Sequence, residues 1–181
     1  MRRAVFLDRD GVINRRVVRE DGPSSPARLA EVDVLPGVPD ALRALRQAGY
    51  LLIVVTNQPE VARGRTSRDA VEAIHARLRS LLSVDDIRVC YHDDEDGCAC
   101  RKPAPGMLYA AAVERGIRLA DSYMVGDRWR DIAAGRRAGC TTILVTGPRE
   151  ATTVEPHVSV DDLSQAALWI LSRSEAGDAV G

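Results

Sequence analysis

Short, almost continuously apolar runs alternate along this chain with stretches in which apolar residues recur every three or four positions. Runs of the first kind are typical of strands that are covered on both faces. They predict five strands, over residues 4–7, 50–56, 87–91, 123–127 and 141–147. Stretches of the second kind are typical of amphipathic helices. They predict five helices, over residues 38–49, 67–82, 106–116, 130–139 and 161–174.

The order of these elements indicates the fold class. Ser67 is a candidate N-cap, and three of the predicted helices stop at a glycine. Strands that alternate with helices predict a doubly wound, Rossmann-like α/β fold with a parallel sheet, whose ligands bind beyond the carboxyl ends of the strands. We expect a single domain over residues 1–172, with a polar loop over 15–33 and a flexible tail over 173–181.

Composition and charge narrow the functional classes. The chain has 181 residues, of which 45% are hydrophobic and 28% are charged, and its formal net charge is −1. Such a chain can bury one core, and its charge gives no overall attraction to nucleic acid or to an anionic membrane. No apolar run is typical of a signal peptide or a membrane span. We therefore expect a cytoplasmic monomer with no nucleic-acid or membrane partner.

Polar residues stand at the ends of the predicted strands or in the loops that follow them. They are Asp8, Asp10, Thr56, Asn57, Lys102 and Asp127. Alone, each of them is typical of a solvated turn or a helix cap. Together they predict a magnesium and phosphoryl site, because the carboxyl ends of parallel strands meet at one edge of the sheet.

Four segments, in order and spacing, also resemble the motifs of a known family. They read DRDGVIN, VVTNQ, CRKPAPGM and VGDRWRDIAAGRRAG. Over about residues 4–145 the chain is similar to the haloacid dehalogenase superfamily of phosphatases, and within it to the branch of heptose 1,7-bisphosphate 7-phosphatases and histidinol-phosphate phosphatases. The resemblance implies a haloacid dehalogenase fold. It also implies roles for five residues: Asp8 as nucleophile, Asp10 as general acid and base, Thr56 and Lys102 as phosphoryl binders, and Asp127 as a magnesium ligand.

The spacing of the two aspartates suits that chemistry. Residues i and i+2 at a strand end point to the same side, so Asp8 and Asp10 can face one phosphorus atom while Arg9 turns away. A neighbouring carboxylate should raise the pKa of Asp10, which then protonates the leaving group and later takes a proton from water. We expect Asp8, Asp127 and the carbonyl of Asp10 to hold Mg²⁺. Asp131 either supports the magnesium waters or is an acid at a helix N-terminus.

A second cluster of candidate ligands is Cys90, His92, Cys98 and Cys100. The two Cys/His pairs, separated by a polar loop, can close a tetrahedral zinc site, and the family branch carries zinc in this loop. Free thiols that happen to cluster are the alternative. A fully ligated zinc would be structural and would fix the loop that carries Lys102. We expect Cys140 to be a core thiol, and His75 and His157 to be structural or surface residues.

Specificity should lie in loops, because the segments between the site residues leave no room for a separate cap domain. We expect five loop residues to contact a small phosphorylated sugar: Asn57, Gln58, Arg63, Arg65 and Arg101. The arginines suit a second anion, which favours removal of the C7 phosphate of a heptose 1,7-bisphosphate over hydrolysis of histidinol phosphate. Pro59 and Glu60 replace the usual serine and glycine of the heptose enzymes. Another small sugar phosphate is therefore an alternative substrate.

Other functional classes share part of this pattern. A phospho-acceptor receiver domain would need an aspartate after the third strand, where Tyr91 and His92 stand. A zinc-stabilised binding module without catalysis would have no use for the strand-end carboxylates or for Lys102. A phosphatase that acts on nucleic-acid ends has similar motifs, but the net charge gives it no support.

Overall fold

The centre of the protein is a parallel sheet. The computed structural model describes residues 1–20, 22–146 and 154–178, without side chains beyond residue 173, and within these ranges the sheet has six strands. The strands of the protein are β1 (Ala4–Leu7), β2 (Val17–Arg19), β3 (Gly22–Ser24), β4 (Leu51–Asn57), β5 (Asp86–Cys90), β6 (Tyr123–Gly126), β7 (Thr141–Val145) and β8 (Val158–Val160). The sheet order is β5-β4-β1-β6-β7-β8, while β2 and β3 form a separate antiparallel hairpin.

Helices cover both faces of this sheet. The described residues form α1 (Val38–Gln47), α2 (Arg68–Leu81), α3 (Gly106–Arg115), α4 (Trp129–Ala138) and α5 (Leu163–Asp178). Apolar residues of α1, α2 and α5 share one buried cluster with Val5 and Leu7 of β1. Those of α3 and α4 share the other cluster with Ala4 and Phe6. Because successive strand residues point to opposite faces, β1 is buried on both sides, which explains its continuous apolarity.

The doubly wound α/β fold that the sequence predicted is confirmed. All five predicted strands and all five predicted helices form, with ends that differ by a few residues. Ser67 caps α2, since its side chain accepts a hydrogen bond of 3.1 Å from the amide of Ala70. Gly116 and Gly139 end α3 and α4 with φ angles of 63° and 82°. Glycine adopts this left-handed conformation without strain, which is why it stops these helices.

Some short elements differ from the predictions. Residues 15–33, predicted as a loop, contain the β2–β3 hairpin and a 3₁₀ turn over Leu29–Glu31. The edge strand β8 is absent from the predictions, and like β2 and β3 it has only three residues, too few to show a period. The last helix runs to Asp178, past residue 172, at which we expected the domain to end. Residues 179–181 lie outside the described residues, as does residue 147 at the predicted end of β7.

The described part of the chain contains neither a cap domain nor a membrane-spanning helix. The described parts of the segments that join the strands of the sheet hold only the helices, the hairpin and short 3₁₀ turns. No helix among the described residues is long and apolar enough to cross a membrane. Among the described residues, only loops and the hairpin cover the carboxyl edge of the sheet.

Candidate active site

The carboxyl edge of the sheet brings the predicted catalytic residues together. In the sheet, β1 lies between β4 and β6. Asp8, just after β1, therefore lies beside Thr56 of β4 and Asp127, which follows β6. A cavity of about 420 Å³ opens at this edge, and Asp8, Asp10 and Lys102 line it. This is where ligands bind in open parallel sheets.

Lys102 is a buried cation at the centre of the site. Its ammonium donates hydrogen bonds to Asp8 Oδ1 at 2.8 Å and to the carbonyl of Val55 at 2.7 Å, and it lies 2.6 Å from Asp131 Oδ1. Burial disfavours the charged form, but the negative charges of Asp131 and Asp8 outweigh burial and raise the pKa of Lys102. The ammonium therefore stays protonated and fixes the carboxylate of Asp8.

Asn57 holds the loop from which Lys102 comes. Its Oδ1 accepts a hydrogen bond of 3.1 Å from the amide of Lys102, and its Nδ2 donates one of 3.0 Å to the carbonyl of Lys102. Both polar atoms of the side chain are thus engaged with backbone. Asn57 also lines the cavity, but its contacts make it a positioning residue for Lys102. A substrate contact of Asn57 stays a prediction.

The carboxylate of Asp10 is held by its neighbour Arg9, which corrects one expectation. Arg9 does not line the cavity that Asp8 and Asp10 line: its side chain is fully buried, and Nε and Nη2 donate to the two oxygens of Asp10 at 3.0 Å each. Asn14 and Ser25 donate further hydrogen bonds, at 2.9 and 2.8 Å. Burial is the largest influence on Asp10 and opposes ionisation. The charge of Arg9 and all these hydrogen bonds outweigh it and hold the pKa of Asp10 well below its usual range. The expected upward pKa shift is therefore wrong.

Gln58 joins the acid–base candidate to the end of β4. Its Nε2 donates hydrogen bonds to Asp10 Oδ2 at 2.9 Å and to Thr56 Oγ1 at 2.8 Å. Gln58 is itself buried, although we predicted that it contacts substrate. Because its amide nitrogen donates to both Asp10 and Thr56, Gln58 orients these two catalytic candidates relative to each other.

The sequence did not predict the network of side chains that contacts Arg9, which runs from the buried His75 to the exposed Glu72. Nη1 of Arg9 lies 2.9 Å from His75 Nε2, and His75 Nδ1 lies 3.4 Å from Glu72, which also accepts a hydrogen bond from the hydroxyl of Tyr91. Burial, followed by the charge of Arg9, lowers the pKa of His75 to about 4. The neutral ring therefore accepts the hydrogen bond of Arg9. The one sequence signal is that His75 follows Val71 by one helical turn on the apolar face of α2.

Three carboxylates at the sheet edge form a group with the chemistry of a divalent-cation site. Oxygens of Asp8, Asp127 and Asp131 lie within 4.8 Å of one another, and carboxylate oxygens are the ligands that Mg²⁺ prefers. Burial raises the pKa of Asp131 to about 7, and the charges of Asp8 and Asp127 add to this effect. Asp131 also accepts a hydrogen bond of 3.0 Å from the amide of Arg128. Asp131 thus caps α4 and belongs to the acidic group at the same time.

Arg16 is a further residue of this group that the sequence analysis placed only in a loop. Its Nε and Nη2 donate to the two oxygens of Asp127 at 2.8 Å each, and Nη2 lies 3.6 Å from Asp8 Oδ2. Gly11 leaves room for this pair: its φ is +99°, and a Cβ there would lie 2.1 Å from Asp127 Oδ2. No feature of the sequence distinguishes Arg16 from the adjacent Arg15.

The four predicted zinc ligands also come together. The ligand atoms of Cys90, His92, Cys98 and Cys100 all lie within 4.8 Å of one another. The distances between their sulfur atoms are 3.0, 3.4 and 3.6 Å. Sulfur atoms about 3.7 Å apart are expected around a tetrahedral zinc ion, so this donor set fits zinc. Cys140 is not part of this group of ligands; it is buried in the core, and burial raises the pKa of its thiol to about 12.

Comparisons with known proteins agree with this geometry. A HAD-hydrolase-like family model matches residues 99–166. The D-glycero-beta-D-manno-heptose-1,7-bisphosphate 7-phosphatase of Pseudomonas putida is 39% identical over 173 residues, which cover 90% of this chain and 96% of that protein. The protein of the same name from Pseudomonas aeruginosa is 38% identical, with 94% and 98% covered. The chain belongs to the heptose 1,7-bisphosphate 7-phosphatase family.

A solved structure from the heptose phosphatase family shares the fold. It is the D,D-heptose 1,7-bisphosphate phosphatase of Bordetella bronchiseptica, complexed with magnesium and phosphate. The two structures have a TM-score of 0.78 and 34% sequence identity, and the match covers 94% of this chain and 99% of that one. The family resemblance inferred from four sequence motifs is thereby confirmed.

In this member of the heptose phosphatase family, two of the predicted substrate-binding arginines share one acidic partner. Glu60 accepts hydrogen bonds from Arg63 at 2.9 Å and from Arg65 at 3.3 Å. Arg63 also donates to both oxygens of Asp93, at 2.7 and 2.6 Å. The charge that Glu60 brings to this loop is therefore neutralised within the loop.

Arg101 connects the zinc-ligand loop to the cavity. Its Nε donates to Asp94 at 2.8 Å, and its Nη1 donates to the carbonyl of His92 at 3.1 Å. Arg130 of α4 also reaches Asp94, at 2.6 Å. Since Arg101 directly precedes Lys102, these contacts hold the loop that delivers both basic residues.

Proposed function

We propose that this chain is a magnesium-dependent phosphomonoester hydrolase that removes the C7 phosphate of D-glycero-D-manno-heptose 1,7-bisphosphate through an aspartyl-phosphate intermediate. The observation that carries the proposal is the environment of Asp8. The buried ammonium of Lys102 holds one of its oxygens, and Asp10 stands two residues further on, at the same edge of the sheet. The two Pseudomonas relatives support the substrate, since both are named as 7-phosphatases of this bisphosphate.

The two aspartates divide the chemistry into two steps. In the first, the carboxylate of Asp8 forms a bond to phosphorus while the bond to the C7 oxygen breaks, and a protonated Asp10 gives its proton to that oxygen. Arg9 keeps Asp10 ionised at rest, so Asp10 takes up this proton from solvent when the charge of a bound phosphate raises its proton affinity. In the second step Asp10 takes a proton from water, which attacks phosphorus, releases phosphate and restores Asp8. Thr56 and Lys102 would bind the phosphoryl oxygens.

Two metal ions belong to the proposal. Asp8, Asp127 and the carbonyl of Asp10 would hold Mg²⁺, which when bound neutralises charge on the transferred phosphoryl group. The close carboxylate oxygens fit this ion, and the Bordetella relative is complexed with magnesium and phosphate. The three cysteines and His92 would hold a structural Zn²⁺ that leaves no open coordination position.

The cavity wall carries charge that suits a second phosphate. Arg65, Arg101 and Arg128 line the cavity, and guanidinium groups bind phosphate through paired hydrogen bonds. Glu60 is paired with Arg63 and Arg65, so it offers little attraction to the cation of histidinol phosphate. We therefore favour the bisphosphate, with its C1 phosphate bound by the arginines and left in place.

Kinetics on two substrates test the proposal. The Mg²⁺-dependent kcat/KM for phosphate release should be higher for heptose 1,7-bisphosphate than for histidinol phosphate. Arg101→Ala should lower kcat/KM about tenfold or more on the bisphosphate and much less on histidinol phosphate, because only the first carries a distal phosphate. Arg118→Ala is the matched control, since Arg118 pairs with Asp121 and does not line the cavity. It should change neither value.

Two results would contradict parts of this proposal. A preference for histidinol phosphate, or equal losses from Arg101→Ala on both substrates, would refute the distal-phosphate argument and favour a histidinol-phosphate phosphatase. If folded, zinc-loaded protein showed no Mg²⁺-dependent hydrolysis of p-nitrophenyl phosphate, a zinc-stabilised binding module would be the better description.

A further inference from the structure

The guanidinium of Arg16 lies within the acidic group at the carboxyl edge of the sheet. Its two hydrogen bonds engage both oxygens of Asp127, and it also approaches Asp8. The side chain of Arg16 is only 18% exposed, so solvent screens its charge in part. A positive charge of the protein thus lies among the same oxygens that the proposed function assigns to Mg²⁺.

Two cations would compete for these oxygens. A guanidinium that donates to both oxygens of Asp127 occupies a lone pair on each oxygen and leaves fewer for a metal ion. Like charges a few ångströms apart also repel strongly where water is largely excluded. Without Arg16 and without a metal ion, however, Asp8, Asp127 and Asp131 would repel one another, and Lys102 and the charge of Arg128 would have to compensate them. Arg16 therefore stabilises the acidic group through its contact with Asp127, and magnesium binding must break that contact.

We propose that Arg16 is the resident counter-ion of this acidic group and that Mg²⁺ must displace it from Asp127 in order to bind. The inference rests on the magnesium site of the proposed function. It predicts that Arg16 stabilises the metal-free fold and weakens magnesium binding. The displaced side chain has space available, because Arg16 lines the cavity. Magnesium binding is thereby coupled to movement of a residue that directly precedes β2 of the hairpin.

Mg²⁺ binding to the full, zinc-loaded chain tests this coupling without substrate. Titration calorimetry and the Mg²⁺-induced rise in Tm would be measured for the wild type and for Arg16→Met, which keeps an apolar stem but removes the charge. The variant should bind Mg²⁺ about ten times more tightly, with a lower Tm in the absence of Mg²⁺ and a larger rise on its addition. Arg15→Met is the matched control and should behave like the wild type, because Arg15 pairs with Asp33 at the surface.

An Asp127→Asn variant separates the two ways in which the inference can fail. If Asp127→Asn abolishes binding while Arg16→Met binds Mg²⁺ as well as or less well than the wild type, the magnesium site stands and the competition is refuted. If Asp127→Asn binds Mg²⁺ like the wild type, the assigned magnesium site is wrong and both proposals are overturned.

A second variant covers the case in which Arg16→Met does not fold. Arg16→Lys keeps the positive charge but cannot donate to both oxygens of Asp127 in the same way. It should bind Mg²⁺ more tightly than the wild type by a smaller factor than a neutral substitution. A dissociation constant equal to that of the wild type would refute the inference.

Discussion

Arg9 donates hydrogen bonds from Nε and Nη2 to the two carboxylate oxygens of Asp10, its neighbour in the chain. Both side chains are buried, so water does not compete for these bonds. His75 contacts the far side of the Arg9 guanidinium, and Gln58 joins Asp10 to Thr56. The acid–base candidate is therefore oriented by the protein before a substrate arrives, which is the preorganisation that efficient proton transfer needs.

Replacement of Asp8 by asparagine should abolish turnover and leave the fold intact. An amide oxygen is a poor nucleophile and a weak magnesium ligand, but it can still accept the hydrogen bond of Lys102. We expect kcat to fall about a thousandfold or more with an unchanged circular dichroism spectrum. Asp40→Asn, at an exposed pair with Arg43, is the control and should keep full activity. An Asp8→Asn enzyme with more than about a tenth of wild-type activity would exclude the covalent mechanism.

The buried His75 should make the fold less stable as the solution becomes more acidic. Its pKa is lowered from 6.5 to about 4 in the folded protein by burial and by the charge of Arg9. Between these two values the unfolded chain binds a proton that the folded protein does not, so the free energy of unfolding falls as pH falls through this window. The contribution is on the order of 2–3 kcal/mol by pH 4.

Urea denaturation at a series of pH values measures this effect. His75→Gln should show a smaller loss of stability between pH 6.5 and pH 4 than the wild type, because glutamine does not titrate. Its side-chain oxygen can still accept a hydrogen bond from Arg9, which limits the loss of stability at pH 7. If the variant and the wild type lose the same stability over this range, His75 is not the group responsible.

The length of each element decided whether the sequence could predict it. Strand β4 has seven residues and α2 has fourteen, enough for continuous apolarity or a helical period to appear. The edge strand β8 and the two hairpin strands have three residues each. Those short strands exist because β8 pairs with β7 and because β2 pairs with β3. A local sequence pattern does not predict such pairing.

The positions of the site residues were predictable, but the directions of the long side chains were not. A strand end fixes where a short aspartate such as Asp8 or Asp127 can reach. The guanidinium of Arg9 turns back to the next residue, whereas that of Arg16 reaches a carboxylate 111 positions away. The final position of a long side chain depends on which opposite charge the fold brings near it. That information appears only when the tertiary contacts are known.

A methyl group at position 11 should disrupt the proposed magnesium site. Gly11 has a φ of +99°, and a Cβ there would lie 2.1 Å from Oδ2 and 2.6 Å from Cγ of Asp127. Gly11→Ala must therefore displace that carboxylate, and we expect Mg²⁺ affinity and kcat each to fall about tenfold or more.

Gly116→Ala is the control that separates backbone strain from crowding, since Gly116 has a φ of +63° but no heavy atom within 4 Å of the added Cβ. The control should lose about 1 kcal/mol of stability and no magnesium affinity. Equal magnesium binding by Gly11→Ala and the wild type would contradict the predicted clash.

Loss of one cysteine from the Cys₃His cluster should lower zinc content and stability more than it lowers kcat. The cluster would hold about one zinc per chain, and Arg101 connects it to the loop of Lys102 through the carbonyl of His92. Cys98→Ser should therefore lower zinc content by metal analysis and lower Tm, while the fraction that stays folded keeps a kcat within a few-fold of the wild type. Cys140→Ala is the matched control, because this buried thiol is not among the four ligands of the cluster and its loss should leave zinc content unchanged. If freshly prepared protein that never met a chelator contained no zinc, the three cysteines would be free thiols. The Lys102 loop would then be held by its ion pairs and by the hydrogen bonds of Asn57.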